Sequence, residues 1–293
     1  LLGGRLRAEN IQLDNRPGRQ WAEDIVSHLR NMSNVRIMTR SRVFGRYDGG
    51  TYGGVERVSD HLAGPLPGQL PQRLRRLIAK QGIVATGGIE RPIVFPNNDR
   101  PGIMLAGAVR TYINRFGVTP GQQAVVYVNN DDGLRTVSDL LAAVARIAAV
   151  VDSRAQPSSQ AKTIIQQTGA PLFFGARIAD TSGYRGVKMA IIRDNKGKNH
   201  RIACDLIAVS GGWNPDIALT THDGGRPVYN ETLATFVPAL DSEDLHVAGV
   251  AAGTMTTAEA LREGTQVGQR AAAQCGFREP STPPVATPAV DQD

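Results

Sequence analysis

The chain has 293 residues, 41% hydrophobic and 20% charged, with a formal net charge of +6. That is enough for one large or two medium domains with cores of their own, at the hydrophobic share of an ordinary globular protein. No apolar run reaches membrane-spanning length, the first residues carry no signal-peptide pattern, and aromatics at 5% are too sparse to interleave a nucleic-acid-binding basic surface.

The sequence opens Leu1-Leu2-Gly3-Gly4-Arg5, without Met and inside what reads as a working loop, so a piece of a longer chain is expected. Residues 21–32 space Trp21, Ile25, Val26 and Leu29 as one face of an amphipathic helix. Residues 35–38 alternate as a strand with 42–45 as its exit, residues 51–62 read as a hairpin partner, and Gly and Pro mark 64–68 as a loop. Arg73, Arg75, Arg76 and Lys80 form the densest basic cluster, read as a solvated helix face or a subunit contact.

Residues 83–85 (IVA) read as a short buried strand running into Thr86-Gly87-Gly88, small residues that let a backbone approach a ligand or another loop. The turn-rich segment beyond it holds Glu90, Arg91, Asp99 and Arg100. These could act on a substrate, but an ion-paired loop locking two domains together is the preferred reading. A helix is expected over 105–116. Then comes a β-α-β-α-β run with strands at 124–128 (AVVYV), 147–151 and 172–174 and helices at 134–145 and 160–168, which predicts a parallel sheet with right-handed crossovers. Asn129-Asn130-Asp131-Asp132-Gly133 stands where a dinucleotide domain carries G-x-G-x-x-G. Its acidic bulk predicts that this domain keeps the nucleotide fold without the nucleotide site, with Asp131 or Asp132 as a helix N-cap. Residues 187–193 and 200–209 read as a β-meander ending at a second small-residue exit, IAVSGGWNP, at 207–215.

A last strand at 245–250 (LHVAGV) leads through Ala251-Ala252-Gly253-Thr254 into a long helix over 256–274, and from 276 a Pro-, Ser- and Thr-rich stretch reads as a linker. The strand–helix turn at 251–254 is the strongest ligand candidate, because a helix N-terminus favours an anion such as a pyrophosphate; the alternative is a plain tight turn. No histidine joins a nucleophile motif or a metal spacing, and Cys204 and Cys275, far apart, read as small hydrophobes of a reducing cytoplasm. No catalytic residue and no metal site is assigned.

Over residues 85–130, and again through CDLIAVSGGWNPDIAL and LHVAGVAAGTMTTAEALREGTQVG, the sequence resembles the alpha subunit of heterotetrameric sarcosine oxidase, a likeness that covers nearly all of 1–276. The resemblance implies an α/β, two-dinucleotide-binding-domain flavoprotein-like fold. The first domain, incomplete at 1–119, would lack its first strand and glycine-rich turn; a Rossmann-like domain is inserted at 120–240; the chain returns to the first domain at 241–276; and 277–293 is linker. It further implies an NAD held by this subunit, an FAD in the beta subunit and an FMN between alpha and beta. The implied complex has beta, gamma and delta partners, no nucleic acid and no membrane. It would be a cytoplasmic oxidoreductase that demethylates sarcosine to glycine, reduces oxygen to hydrogen peroxide and passes the one-carbon unit to tetrahydrofolate.

Carried over by position, the NAD contacts fall at Gly4 and Arg5, at Val43 beside the adenine, and from Ala252 through Gly253 and Thr254 to Thr257 near the nicotinamide, with Thr86 and Gly87 adjacent by fold logic. Arg5 departs from the small hydroxyl residue usual there, and Gly82 and Gly88 stand where bulkier residues are usual. Two other readings stay open: the related subunit of an opine or amino-acid dehydrogenase, and a non-catalytic interaction module that has lost nucleotide binding.

Overall fold

A computed structural model of the chain describes residues 2–64, 67–156, 158–239, 242–277 and 285–288. The chain forms two compact units, the first from residues 1–2, 11–89 and 214–293, the second from 3–10 and 90–213. The main part of the second unit, 90–213, is therefore inserted in sequence between two parts of the first, with 3–10 added from the start of the chain.

In the first unit, helix α1 (Gly18–Asn31) is followed by an antiparallel sheet of β1 (Ser41–Tyr47), β2 (Thr51–Arg57) and β3 (Gln72–Ile78), and then by β4 (Gly82–Val84). Residues 35–38, expected as a strand, have no ladder partner; the strand begins at Ser41 and takes in the supposed exit. Glycines hide it. A Cβ on Gly53 would come within 2.9 Å of the Phe44 ring, so the ladder trades side chains on one strand for aromatics on the other. The basic cluster is no helix face: Arg73, Arg75 and Arg76 lie on β3, which among the described residues pairs only with β2. Arg75 grips Glu56 of β2 through Nε at 2.8 Å and Nη2 at 2.6 Å.

The second unit starts with β5 (Ile103–Leu105) and α2 (Ala106–Phe116), then β6 (Gln123–Val128), α3 (Asp131–Ala142), β7 (Arg146–Asp152), α4 (Ser159–Thr168) and β8 (Leu172–Phe174). An antiparallel meander follows, β9 (Arg177–Ser182), β10 (Met189–Arg193) and β11 (Asn199–Ala203), before β12 (Leu206–Ser210) returns to the main sheet. That sheet is parallel throughout, in the order β8-β7-β6-β12-β5. Strand β6 is apolar on both faces because both are covered. Ala124, Val126 and Val128 pack on helices α2, α3 and α4, whereas Val125 and Tyr127 pack toward the meander, against Ile178 and Ile192. The result is three layers: helices, parallel sheet, antiparallel sheet. The unit boundaries fall at 89/90 and 213/214, not at 119/120 and 240/241, because β5 pairs with β12 and so draws 90–119 into the inserted unit.

The chain then re-enters the first unit with the hairpin β13 (Pro227–Asn230) and β14 (Thr235–Pro238), strand β15 (Leu245–Val247) and helix α5 (Thr257–Gln274). Strand β15 lies parallel to β4, and Val84, Leu245, Val247 and Ala251 form the core beside them. Part of the expected linker is docked: Asp14 N donates to Thr287 O at 3.1 Å and Thr287 N to Asp14 Oδ1 at 3.0 Å. Residues 278–284 and 289–293 of that linker lie outside the described residues.

Candidate functional site

The parallel pair β4–β15 sends both strands out at the same edge, and Ala248 N donates to Val84 O at 3.0 Å where they leave. Thr86 and Gly87 follow β4; Ala252, Gly253, Thr254 and Thr257 follow β15. These six candidate residues are thus carried by adjacent exits. Gly87 has φ of +78° with nothing within 4 Å of where a Cβ would sit, so that turn borders open space and tolerates its backbone only as glycine. Thr86 hydroxyl donates to Asp216 O at 2.7 Å, which ties down the turn's start. Val43, on β1 opposite Gly54, belongs to the antiparallel sheet. Gly4 and Arg5 belong to the second unit.

The turn after β15 is more elaborate than a strand running straight into a helix. Residues Gly249–Ala252 form a 3₁₀ turn, Gly253 adopts φ of +94°, and α5 begins only at Thr257. Its N-terminus is already occupied. Thr256 Oγ1 accepts from Glu259 N at 3.3 Å and donates to the Glu259 carboxylate at 2.7 Å, a capping arrangement that places a negative charge on the helix end. Glu263 accepts from Gly249 N at 2.6 Å. Gly253 and Thr254 line a cavity of about 480 Å³ with Glu259, Arg262, Glu263 and Gln266. Such a surface suits hydroxyl and amide groups better than a phosphate.

The other glycine exits are filled by protein. A Cβ on Gly88 would meet Val250 Cγ1 at 2.6 Å and Asn214 O at 2.8 Å, and one on Gly82 the Tyr52 hydroxyl at 2.0 Å. At the second exit, Gly211 and Gly212 close on Arg91: Gly211 N donates to Arg91 O at 2.7 Å, and Arg91 N to Gly212 O at 2.8 Å. That exit holds a neighbouring loop, not a ligand.

In the second unit the acidic loop after β6 is saturated by arginines. Asp131 binds Arg154 Nη2 at 2.6 Å and the Ser158 hydroxyl at 2.8 Å. Asp132 binds Arg5 and accepts from Trp213 Nε1 at 2.8 Å. Burial opposes its charge, but Arg5 and Arg110 outweigh that and hold its carboxyl below the usual range. The N-cap of α3 is Asn130, whose side chain accepts from Gly133 N at 2.8 Å, and neither aspartate serves in that role. Buried Arg110 reaches Asp139 at 2.9 Å and Glu9 at 3.6 Å.

Glu90 is buried, accepts from Gly107 N at the start of α2 at 2.8 Å, and has its pKa raised by that burial. Asn97 donates to Asp180 at 2.8 Å and Arg100 to Gly183 O, so the expected ion-paired loop is pinned to the antiparallel sheet mainly through other partners. None of this network is visible as a motif; Arg5 and Asp132 are 127 positions apart. The remaining polar candidates are satisfied locally. His200 Nε2 lies 2.7 Å from Asp194, and His246 Nε2 lies 3.0 Å from Gln81 and 2.8 Å from Gln274. Cys204 is buried, which pushes its thiol up to about 11. Among the described residues no cluster of three or more His, Cys, Asp or Glu could hold a metal, and no helix is long and apolar enough to cross a membrane.

Sequence comparison decides the kinship. The chain is 36% identical to the sarcosine oxidase subunit alpha of Rhizobium meliloti over 293 residues, 100% of this chain and 29% of that protein. It is also 36% identical to that of Corynebacterium sp. (strain P-1), over 98% of this chain and 30% of the relative. The chain belongs with the sarcosine oxidase alpha subunits. It spans less than a third of their length. No protein-family profile matches it. Among solved structures it is similar to L-proline dehydrogenase from P. horikoshii, at TM-score 0.66 and 21% identity over 94% of this chain and 49% of that one. Thioredoxin reductase from T. acidophilum gives the same TM-score at 14% identity, over 94% and 86%. These two share the fold, an α/β architecture of the dinucleotide-binding type. The Arg5 guanidinium is paired with Glu9 and Asp132 and lies 5.0 Å from the Trp213 ring.

Proposed function

We propose that the chain is the NAD-holding part of an oxidoreductase alpha subunit of the sarcosine oxidase type. The observation that carries this reading is 36% identity along the whole chain, joined to a first unit whose β4 and β15 exits open side by side. In this reading the whole complex demethylates sarcosine to glycine, forms hydrogen peroxide and hands the one-carbon unit to tetrahydrofolate. FAD sits in the beta subunit and FMN where alpha and beta meet, with gamma and delta subunits completing the assembly. No residue of this chain acts on the amine.

The residues present fit one end of the dinucleotide. Open space at Gly87 admits a planar or ribosyl group against backbone, and Thr254 offers a hydroxyl beside it in chain order after Gly253. The capped, glutamate-bearing start of α5 disfavours a pyrophosphate, so Ala252, Gly253, Thr254 and Thr257 are assigned to the nicotinamide end. Val43 is assigned to the adenine, whereas Arg5, in the second unit, has its side chain engaged with carboxylates. Bound NAD supplies a nicotinamide ring able to accept or give hydride. This chain's part is to orient it and shield it from water.

The test is to express the full-length protein that carries this chain with its partner subunits, denature it, and identify the released nucleotides by mass spectrometry. NAD released together with FAD and FMN, and peroxide formed on adding sarcosine, are expected. Recovery of flavins without NAD would overturn the NAD-holding role, and peroxide formation absent with sarcosine but present with another secondary amine would reassign the substrate.

A further inference from the structure

The second unit contains a cavity of about 330 Å³ that the nucleotide reading does not use. At roughly 30 Å³ per water-sized group it holds about eleven such groups. One wall is a face of α2: Gly107, Ala108, Thr111 and Arg115 line it. Eight rises of about 1.5 Å each, from Gly107 to Arg115, make that wall roughly 12 Å long. The opposite wall comes from the 4–9 segment, and Trp213 and Glu90 close the end nearest Gly107.

The charges on this wall are not balanced. Four arginines line the cavity against two glutamates, Glu9 and Glu90. Arg5 and Arg110 are matched, by Glu9, Asp132 and Asp139. Arg115 is not: it is half-buried, its guanidinium lies 5.0 Å from the Phe116 ring, and it forms no ion pair among the described residues. At the other end Glu90 accepts from Gly107 N at 2.8 Å, with its pKa raised by burial and lowered in part by Ser210 and that N–H. Thr111 lines the cavity and donates to Gly107 O at 2.7 Å, so its hydroxyl oxygen keeps its capacity to accept. An unpaired cation at one end, hydrogen-bonding groups at the other and the Trp213 indole beside them make a polarised slot. A small organic monoanion that carries a hydroxyl or amide at its far end matches it in charge and in length.

We propose that this cavity is a binding site for a small hydroxy- or amido-carboxylate, held with its carboxylate on Arg115 and its polar tail at Glu90 and Thr111. The site is separate from the residues assigned to the nicotinamide and adenine, and its occupancy does not depend on NAD.

Isothermal titration of the intact protein with 6-hydroxyhexanoate, in parallel with the uncharged 1,6-hexanediol, tests this. Saturable binding of the carboxylate is expected, with the diol at least about tenfold weaker. Arg115→Gln should weaken the carboxylate by about tenfold and leave the diol unchanged, while the protein's thermal midpoint stays within a degree or so of native. Thr111→Val provides a second variant and should weaken both probes. Running each titration with NAD-loaded and NAD-stripped protein separates the two readings: equal affinities are expected. Carboxylate binding that is insensitive to Arg115→Gln, or no saturable binding of either probe, overturns the assignment.

Discussion

Glu90 shows how one buried side chain can be read by its titration. Its carboxylate caps the start of α2 through Gly107 N, and burial raises its pKa, with Ser210 and that same N–H pulling the other way. A carboxyl whose folded pKa lies above its unfolded value holds its proton more tightly when folded. Its contribution is therefore greatest at low pH and is lost as pH rises through the folded value. Glu90→Gln keeps an acceptor for Gly107 N but removes the charge. Relative to native, the variant should gain stability as pH rises above the ordinary carboxylate range, measured as the difference in urea midpoints. A difference that is flat, or that falls with pH, would mean that Glu90 is ionised without penalty in the folded protein. Sequence alone marks Glu90 as charged and within a turn-rich segment; it does not reveal burial. The same blindness applies to Arg5, which looks like a loop residue until Asp132 arrives from 127 positions away.

At the level of elements, the strongest sequence signals belong to segments whose surroundings are uniform. Strand β6 is apolar at every buried position, and α3 and α5 start at polar caps, Asn130 and Thr256, so their types follow from local chemistry. Elements that rely on a partner are hidden. Strand β3 exposes Leu74 and Ile78, at 74% and 72%, beside its arginines, which removes the alternation that would mark a strand. Strands β1 and β2 interleave glycines with aromatics, and the period of each alone is lost. Glycines therefore separate two physical cases. Gly88→Ala would press a methyl against Asn214 O at 2.8 Å and Val250 Cγ1 at 2.6 Å, and should destabilise the protein by about 1–3 kcal/mol. Gly264→Ala, inside α5 with nothing within 4 Å of the new methyl, should stabilise it by about 0.5–1 kcal/mol. Denaturant midpoints check both, and a shift of the same sign in the two variants would show that the Gly88 contact relaxes freely.

For the whole molecule, chain order and contact order disagree. Residues 3–10 lie within the first unit's stretch of sequence, between 1–2 and 11–89, yet belong with the second, so each unit is built from separated pieces of chain. The resemblance to alpha subunits indicates an inserted domain; it gives no hint that the opening segment is a structural part of that insertion. What ties the segment down is charge. Glu9, only 6% exposed at its side chain, faces Arg110 at 3.6 Å and Arg135 at 3.7 Å, while Arg5 meets Asp132, and Asn114 donates to Ala8 O at 3.0 Å. Removing the segment would take Glu9 from Arg110 and Arg5 from Asp132, leaving Arg110 with Asp139 and the more distant Asp132, and Asp132 with Trp213 and that same Arg110. Breaking a buried charge network on one side costs about 3–5 kcal/mol. Replacing residues 3–10 with a glycine–serine stretch of equal length keeps the chain connected but supplies none of these partners. Hydrogen exchange should then show lost protection along α2 and α3, with the β1–β2–β3 sheet of the first unit unchanged. Unaltered protection in α2 and α3 would mean the segment merely rests on the second unit. Loss confined to β1–β3 would assign residues 3–10 to the first unit, where their place in the sequence alone would put them.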